Sequence, residues 1–573
     1  MKFNFLYKLE ASLNPGSFWL RSWRPFALLL LFGLIIFSQT MFFDLTYLDD
    51  NALILDNAPI LSQAKLSDLF ANDVFFSGQR YYYRPIMSLS LWLDFKVMQS
   101  LPFWYHLTNI FLAVIAASLL FVFLQKLKLK RTWSWWAAVI FLIHPALSAA
   151  VAWIPGRNDI LLAIFILASF IALVRFWRQS SWWAWIGHAV FLVLAFFTKE
   201  IAVLVPAMML LYLYLFENLR WSGIKKLRTA TDYESQETGE ALSDLNSESD
   251  SELNSSSILN FTAKKLILLV STWLTVFVVW FLPRQLVLEG SVFKANILWS
   301  SLFKSLPAVF LCFGKFVWPL NLSVFPTLAD SPWWPGLFIL ILLITVFGRW
   351  SKQRDNRYLI FGITWFLIFL LPSFFNPSPD SSLAFFEHRL YLPFIGLLIA
   401  LWGIDLSRDL DFKKAGVKIS LGLVILLFIV LNLENGHDYR DRFAFWQAAV
   451  RTAPHSAFVH SNLGAMYYLS DNLFQAQSEY QKALKLDYKE RMTHNNLGLV
   501  YTDQKKYSEA EKEFNLELAY NPNYDKALFN LGYLYYLEKR YLEAAYYWQA
   551  TLIVNPAYYQ AYQYLLLAQD KIE

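Results

Sequence analysis

A single cysteine, Cys312, stands among 573 residues. One thiol closes no intrachain disulfide and supplies no cysteine-based metal spacing, so both frameworks are excluded and Cys312 reads as a small apolar residue. Charge is scarce as well: 16% of the residues are Asp, Glu, Lys or Arg, against 57% hydrophobic and 18% aromatic. That balance is too apolar for a soluble chain of this length. The formal net charge of +5 is small and spread along the sequence. Nucleic-acid binding needs a concentrated basic face, and that class falls away. The N-terminal stretch "MKFNFLYKLEASLNPGSFWLRSWRPFALLLLFGLIIFSQTMFF" has no small-residue cleavage pattern at its apolar end, which predicts an uncleaved first span.

What the sequence has in quantity is long apolar runs. A membrane helix needs about 20 mostly apolar residues, and eleven stretches qualify, near 25–43, 105–125, 133–153, 159–176, 181–198, 200–217, 264–283, 333–348, 357–374, 389–404 and 417–434. The expected fold is all-α, a polytopic membrane bundle of about 11 spans. Lys2, Lys8, Arg21 and Arg24, "KLKLKR" at 126–131, Arg175 and Arg178, Lys225 to Arg228, Arg349 to Arg357, and Arg408 to Lys414 all fall on one face if every stretch crosses. The positive-inside rule then makes the N-terminus cytoplasmic and puts everything after about residue 435 on the other side. Residues 294–326 must begin and end outside, as a surface-lying or re-entrant segment. The inner loop at 229–258, "TDYESQETGEALSDLNSESDSELNSSS" at its centre, carries eight acidic residues and no basic ones. It has too little to bury to offset its ordering entropy and is expected to be a disordered cytoplasmic insert.

Beyond residue 435 hydrophobicity drops and a period emerges. Gly464, Gly498 and Gly532 lie 34 residues apart, and Ala476, Ala510 and Ala544 keep the same spacing, as do Tyr480, Phe514 and Trp548. The pattern resembles the tetratricopeptide repeat, a helical hairpin whose small residues let two helices approach closely. It assigns residues 436–573 to an α-solenoid with repeats near 457–490, 491–524 and 525–558 and a capping helix at 557–571. Such an array specifies a binding surface, not a reaction.

With sides assigned, polar residues gather on the outer face. The outer loop at 44–104 holds Asp49, Asp50, Asp56, Tyr83 and Arg84; later loops hold His144, Arg157, Asn158 and Asp159, then Lys199 and Glu200, Lys315, and Glu387, His388 and Arg389. Taken singly, each has an ordinary explanation: a solvated helix end, a snorkelling arginine, an aromatic belt or a local ion pair. Together they form a mixed-sign cluster beside a membrane, which suits an anionic ligand next to a group that moves a proton. Arginine can hold the departing phosphate of a lipid-linked sugar, and a carboxylate can take the proton from the attacking hydroxyl. A single displacement inverts the anomeric centre, and cationic side chains remove the need for a metal.

The ordered motifs "LDDNALILDNAPI", "YYRPIMSLSLWLDF" with "YHLTNI", "HPALSAAVAWIPGRNDILLA", "FFTKEIAVLVPAMMLL" and "EHRLYLPFIGL", followed by the repeats, resemble the transmembrane and tetratricopeptide-repeat-containing O-mannosyltransferases, glycosyltransferases of the GT-C fold class. The resemblance runs from about residue 25 to the end. It implies that residues 1–435 form a GT-C-like domain with its catalytic loop at 44–104. The implied reaction is inverting, metal-independent transfer of mannose from dolichyl phosphate to Ser or Thr of a protein bound by the repeats, with the lipid-linked sugar as donor substrate and no cofactor. The family's acidic pair matches Asp49 and Asp50, and either could be the base. Arg84, Arg157 and Arg389 match basic motif positions and are expected, with His388 and Lys315, to bind the donor phosphate. His144, Asn158, Asp159, Glu387 and Tyr83 are expected to support them; Asp56 reads as structural. Few repeats and one cysteine fit a bacterial relative using a polyprenyl phosphate at the periplasmic face of the inner membrane, which leaves the sugar and the acceptor open. A glycan or lipid acceptor, or a non-catalytic membrane-anchored scaffold, are the competing expectations.

Overall fold

The computed structural model describes residues 20, 22–76, 82–217, 219, 249–288, 295–375 and 385–572, with backbone alone for 249–261 and 295–298. Among the described residues there is no β-strand, only an isolated bridge between Arg354 and Ile404. The chain divides into two compact units: residues 1–322, 333–377 and 387–437, and residues 323–332, 378–386 and 438–573.

The first unit is a multi-pass membrane bundle. Six described helices are long and apolar enough to cross a membrane: Arg24–Phe42, Pro102–Lys126, Ile154–Gln179, Thr262–Val287, Asn356–Phe374 and Ala415–His437. The other apolar stretches divide differently from the expected eleven uniform spans. The stretch at 133–153 is a bent pair, Arg131–Ile143 and Pro145–Ala152, turned by 58°. Pro145 has no N–H to continue the first helix, and His144 caps the second by accepting from the Ala146 N–H at 3.3 Å. Those at 181–198, 200–217, 333–348 and 389–404 are carried by shorter helices, Trp182–Thr198, Glu200–Phe216, Trp334–Trp350 and Tyr391–Trp402. Within the segment at 294–326 lies a second bent pair, Trp299–Ser305 and Ala308–Val317, turned by 44°.

The acidic insert is shorter than its composition predicts. Residues 229–248 lie outside the described residues, but 249–258 form the first turns of the helix Ser249–Val287. Once the apolar span has paid for helix nucleation, each added residue gains a hydrogen bond without a new nucleus, so a polar stretch can ride on it.

The second unit is a stack of helical hairpins: Ala457–Tyr468 with Leu473–Leu486, Thr493–Asp503 with Tyr507–Tyr520, and Asp525–Leu537 with Tyr541–Val554, preceded by Arg442–Thr452 and followed by Tyr559–Ile572. The 34-residue period has a direct packing cause. A Cβ on Gly498 would lie 2.7 Å from the Phe514 ring, and one on Gly532 would lie 2.7 Å from the Trp548 indole. The glycine is the seat for the ring of its partner helix. Gly498→Val is expected to destabilise this array by about 1–3 kcal/mol, read as earlier proteolysis of the repeat helices on heating the full chain. The unit also includes residues from the other half of the sequence: Phe325 stacks on Phe458 at 5.2 Å, Ser323 and Thr452 share a hydrogen bond of 2.7 Å, and His455 meets the buried Asp330 at 2.6 Å. The boundary expected at residue 435 is therefore incomplete, because 323–332 belongs with the repeats.

Candidate functional site

The adjacent carboxylates Asp49 and Asp50 have opposite environments. The chain leaves the helix Arg24–Phe37 through a 3-10 turn, Ser38–Phe42, and Phe43 is extended. A π-helical segment, Asn51–Asp56, follows, and Asp50 is its N-cap. Asp50 is buried and accepts four hydrogen bonds: from the Thr46 N–H at 2.7 Å, the Thr46 hydroxyl at 2.9 Å, the Tyr47 N–H at 2.8 Å and the Asn51 N–H at 3.0 Å. Both of its oxygens hold the loop. Asp49 is partly exposed, and no described residue donates a hydrogen bond to its carboxylate. Burial of its surroundings raises its pKa to about 6, the neighbouring Asp50 charge adds to this, and Arg84 and Arg389 pull the other way.

Arg84 is set in place by Pro85. Proline disfavours the helical conformation of the residue before it and starts a helix well. Arg84 is accordingly non-helical, with φ −137°, and Pro85–Met98 begins behind it. Its guanidinium lies over the Tyr82 ring at 4.2 Å and donates one hydrogen bond to Glu200 at 3.1 Å, while its buried Nε–H has no acceptor among the described residues. Lys199 and Glu200 follow the helix Trp182–Thr198, and Lys199 is extended, so the two side chains diverge. They do not pair with each other. Lys199 donates to Asp159 at 2.6 Å, and Asp159 also has His388 at 4.0 Å.

Glu387–Leu390 forms a 3-10 turn ahead of the helix Tyr391–Trp402. Arg389 donates to the Ser373 carbonyl at 2.8 Å and lies within electrostatic reach of Asp49, Arg84 and Asp159. The charge of Lys199 is opposed by those of Arg84 and Arg389, and the same three cations act on His388. His388 packs on Trp153 at 4.9 Å. Asp49, Arg84, Asp159, Lys199, Glu200, His388 and Arg389 thus make one electrostatic group. Three cations pressed together beside a partly exposed carboxylate favour an anion.

The other expected site residues make their own contacts. Arg157 is fully buried and spends its donors on Asn109 at 2.8 Å, Ser90 at 3.1 Å, Asp94 at 2.6 Å and the Tyr105 carbonyl at 2.8 Å. It ties the helices Pro85–Met98, Pro102–Lys126 and Arg157–Gln179 together and is not among the charges acting on Asp49. Gly156 permits this, since a Cβ there would stand 2.7 Å from the Ala150 carbonyl. Lys315 forms a buried ion pair with Glu387, which sits beside His388 and Arg389 in the chain. His144 is a buried hinge residue, its Nε2 facing the Phe316 carbonyl at 3.2 Å. Tyr83 is buried and donates to the Phe70 carbonyl at 3.0 Å. Asn158 is buried next to Arg157, its side-chain oxygen without a donor. Asp56 stays at the loop surface, 3.4 Å from the Asn51 amide.

Two members of the group, Lys199 and Glu200, stood out in the sequence only as a possible local pair. Asp94 and Asn109, the anchors of Arg157, had a usable signal: polar groups inside otherwise apolar runs require partners.

No family model matches the chain. It is similar to the Protein O-mannosyl-transferase F38B6.6 of Caenorhabditis elegans, 23% identical over 430 residues that cover 73% of this chain and 56% of the relative. It is also similar to the Protein O-mannosyl-transferase TMTC3 of Homo sapiens, 35% identical over 156 residues covering 26% of this chain and 17% of the relative. The chain thus spans about half the length of the worm relative and a smaller share of the human one. Among solved structures, the first TPR of Spaghetti (RPAP3) bound to an HSP90 peptide aligns with 20% of this chain and 93% of its own at 24% identity, with a TM-score of 0.20, too low to carry an argument.

Proposed function

We propose that the bundle transfers a sugar, mannose first, from a polyprenyl or dolichyl phosphate to a Ser or Thr hydroxyl of a protein, with Asp49 as general base. The observation that carries the proposal is the contrast between the two carboxylates. Asp50 is consumed by four hydrogen bonds, whereas Asp49 is partly exposed, without a donor among the described residues, and raised to about 6 beside Arg84 and Arg389. A general base works best with a pKa near the operating pH.

The acceptor hydroxyl attacks the anomeric carbon and gives its proton to Asp49. The carbon–oxygen bond to phosphate breaks, and the electron pair leaves on the phosphate oxygen. Arg84, Arg389 and Lys199 balance the charge that grows there, so the step draws on side chains rather than a metal. One displacement inverts the centre. The names of the curated relatives support mannose and a protein acceptor. The repeats would present that acceptor on the same, non-cytoplasmic face as Asp49, with the N-terminus cytoplasmic.

The test is transfer of labelled mannose from a mannosyl-phosphoryl polyprenol to a Ser/Thr peptide by the full chain in liposomes, followed across pH. A group with a raised pKa is protonated below it, so the rate is expected to be half-maximal near pH 6 and to fall about tenfold per unit below that. Label recovered only on a lipid or glycan would replace the protein acceptor. Absence of any transfer from the whole panel of lipid-phosphate sugars would overturn the proposal.

A further inference from the structure

Of the two anions in the charged group that pair with its cations, Asp159 and Glu200, Glu200 is the more loosely held. Asp159 has a side chain only 7% exposed and holds Lys199 at 2.6 Å with His388 beyond it. The Glu200 side chain is 30% exposed and touches Arg84 through a single hydrogen bond of 3.1 Å. It stands at the start of a short 3-10 turn, Glu200–Leu204. Arg84, meanwhile, keeps a buried Nε–H that meets no acceptor among the described residues. The pair is half-made: one donor of the guanidinium fork is used and the adjacent one is left over.

From this geometry we infer that Glu200 is an exchangeable counter-ion, occupying Arg84 until a phosphate arrives and returning to it when the spent lipid phosphate departs. The inference rests on the lipid-phosphate site proposed above and adds to it a residue that governs release. A phosphate can bridge two donors of a guanidinium fork, taking the Nε–H as well as the donor that Glu200 now occupies. It therefore displaces a carboxylate that Arg84 holds by one hydrogen bond and that otherwise accepts only from its own backbone N–H. Glu200 can swing to water at little cost because its side chain is already part exposed. Without the carboxylate, Arg84, Lys199 and Arg389 would face the leaving phosphate with one negative charge fewer to compete for them. Product would then be held too well. Glu200 is thus a positioning residue: it trades affinity for turnover.

The experiment uses the full chain in detergent and measures binding of farnesyl phosphate, with farnesol and inorganic phosphate as controls, to the wild type, Glu200→Gln, Glu200→Asp and Arg84→Gln. Glu200→Gln is expected to bind farnesyl phosphate about tenfold more tightly, since a local counter-charge is removed. Glu200→Asp, which keeps the charge, is expected to stay near the wild type. In the transfer assay Glu200→Gln should lower KM and kcat together, a split that loss of a mere brace would not give. Unchanged or weaker binding by Glu200→Gln, with saturable binding by the wild type, overturns the counter-ion inference and leaves the phosphate site standing. If Glu200→Gln does not fold, tight binding by Glu200→Asp overturns it equally, because a retained charge should still compete. Binding that ignores Arg84→Gln, or that farnesol matches, overturns the lipid-phosphate site itself. Inorganic phosphate binding as tightly as farnesyl phosphate would overturn the lipid source alone.

Discussion

Asp49→Asn is expected to lower transfer by about 10²- to 10⁴-fold, the range for losing a general base, with expression and membrane insertion unchanged. Asp50→Asn is expected to act on the fold of the loop instead. Its carboxylate takes two backbone N–H groups and both Thr46 donors. An amide must turn an NH₂ toward one of those oxygens' donors, leaving buried donors facing each other at about 1–3 kcal/mol. The loop at 44–57 should loosen, read as faster cleavage there by an added protease. Residual transfer should keep a base-dependent pH profile with its midpoint shifted below that of the wild type, because Asp49 is still present but has lost the neighbouring Asp50 charge that helps to raise it. Equal losses of activity with equal stability in the two variants would sink the division of labour between them.

The second large effect belongs to Arg157. Arg157→Met leaves the half-buried Asp94 without its cation and removes four donors from the junction of three helices. Breaking a buried pair by removing one partner costs about 3–5 kcal/mol, so the variant is expected to lose most of its folded yield, seen as aggregation on size-exclusion chromatography after extraction. Pairing it with Asp94→Leu should restore part of that yield, since an apolar replacement of both partners avoids the stranded charge. Recovery of lipid-phosphate binding in the double variant would also separate Arg157 from the donor site. Loss of binding in a well-folded double variant would return Arg157 to that site.

These two expectations mark where sequence and structure part. The repeats were legible because their cause is local: a glycine and a ring recur at 34-residue spacing, and the hairpin that seats one on the other needs nothing from elsewhere in the chain. The long apolar helices were legible for the same reason, since length and hydropathy decide them. The adjacent pair Asp49 and Asp50 was not separable, because nothing in "TYLDDN" tells which oxygen the Thr46 and Tyr47 amides will reach; that depends on the turn closing back on itself. Arg84, Arg157 and Arg389 share a sequence environment of aromatics and short polar motifs, yet two meet Asp49 electrostatically and one is a brace. Their fates are set by contacts across 60 or more positions, as between Arg157 and Asp94 at a separation of 63. Lys199 and Glu200 show the complementary failure. Adjacency suggested a pair, and an extended backbone at Lys199 sent the two to different partners.

The stacking of Phe325 on Phe458, with Asp330 buried against His455, bears on how such arrays are exchanged between proteins. Fusing a foreign helical array at residue 438 would keep the peptide bond and discard the fit, because the aromatic ring and carboxylate that meet its first hairpin are encoded more than a hundred positions upstream. A chimaera would need residues 323–332 from the same donor as its array. Shuffling of this module is accordingly a two-cut problem at least, and lineages that swap it at one junction should carry compensating changes in that upstream decapeptide.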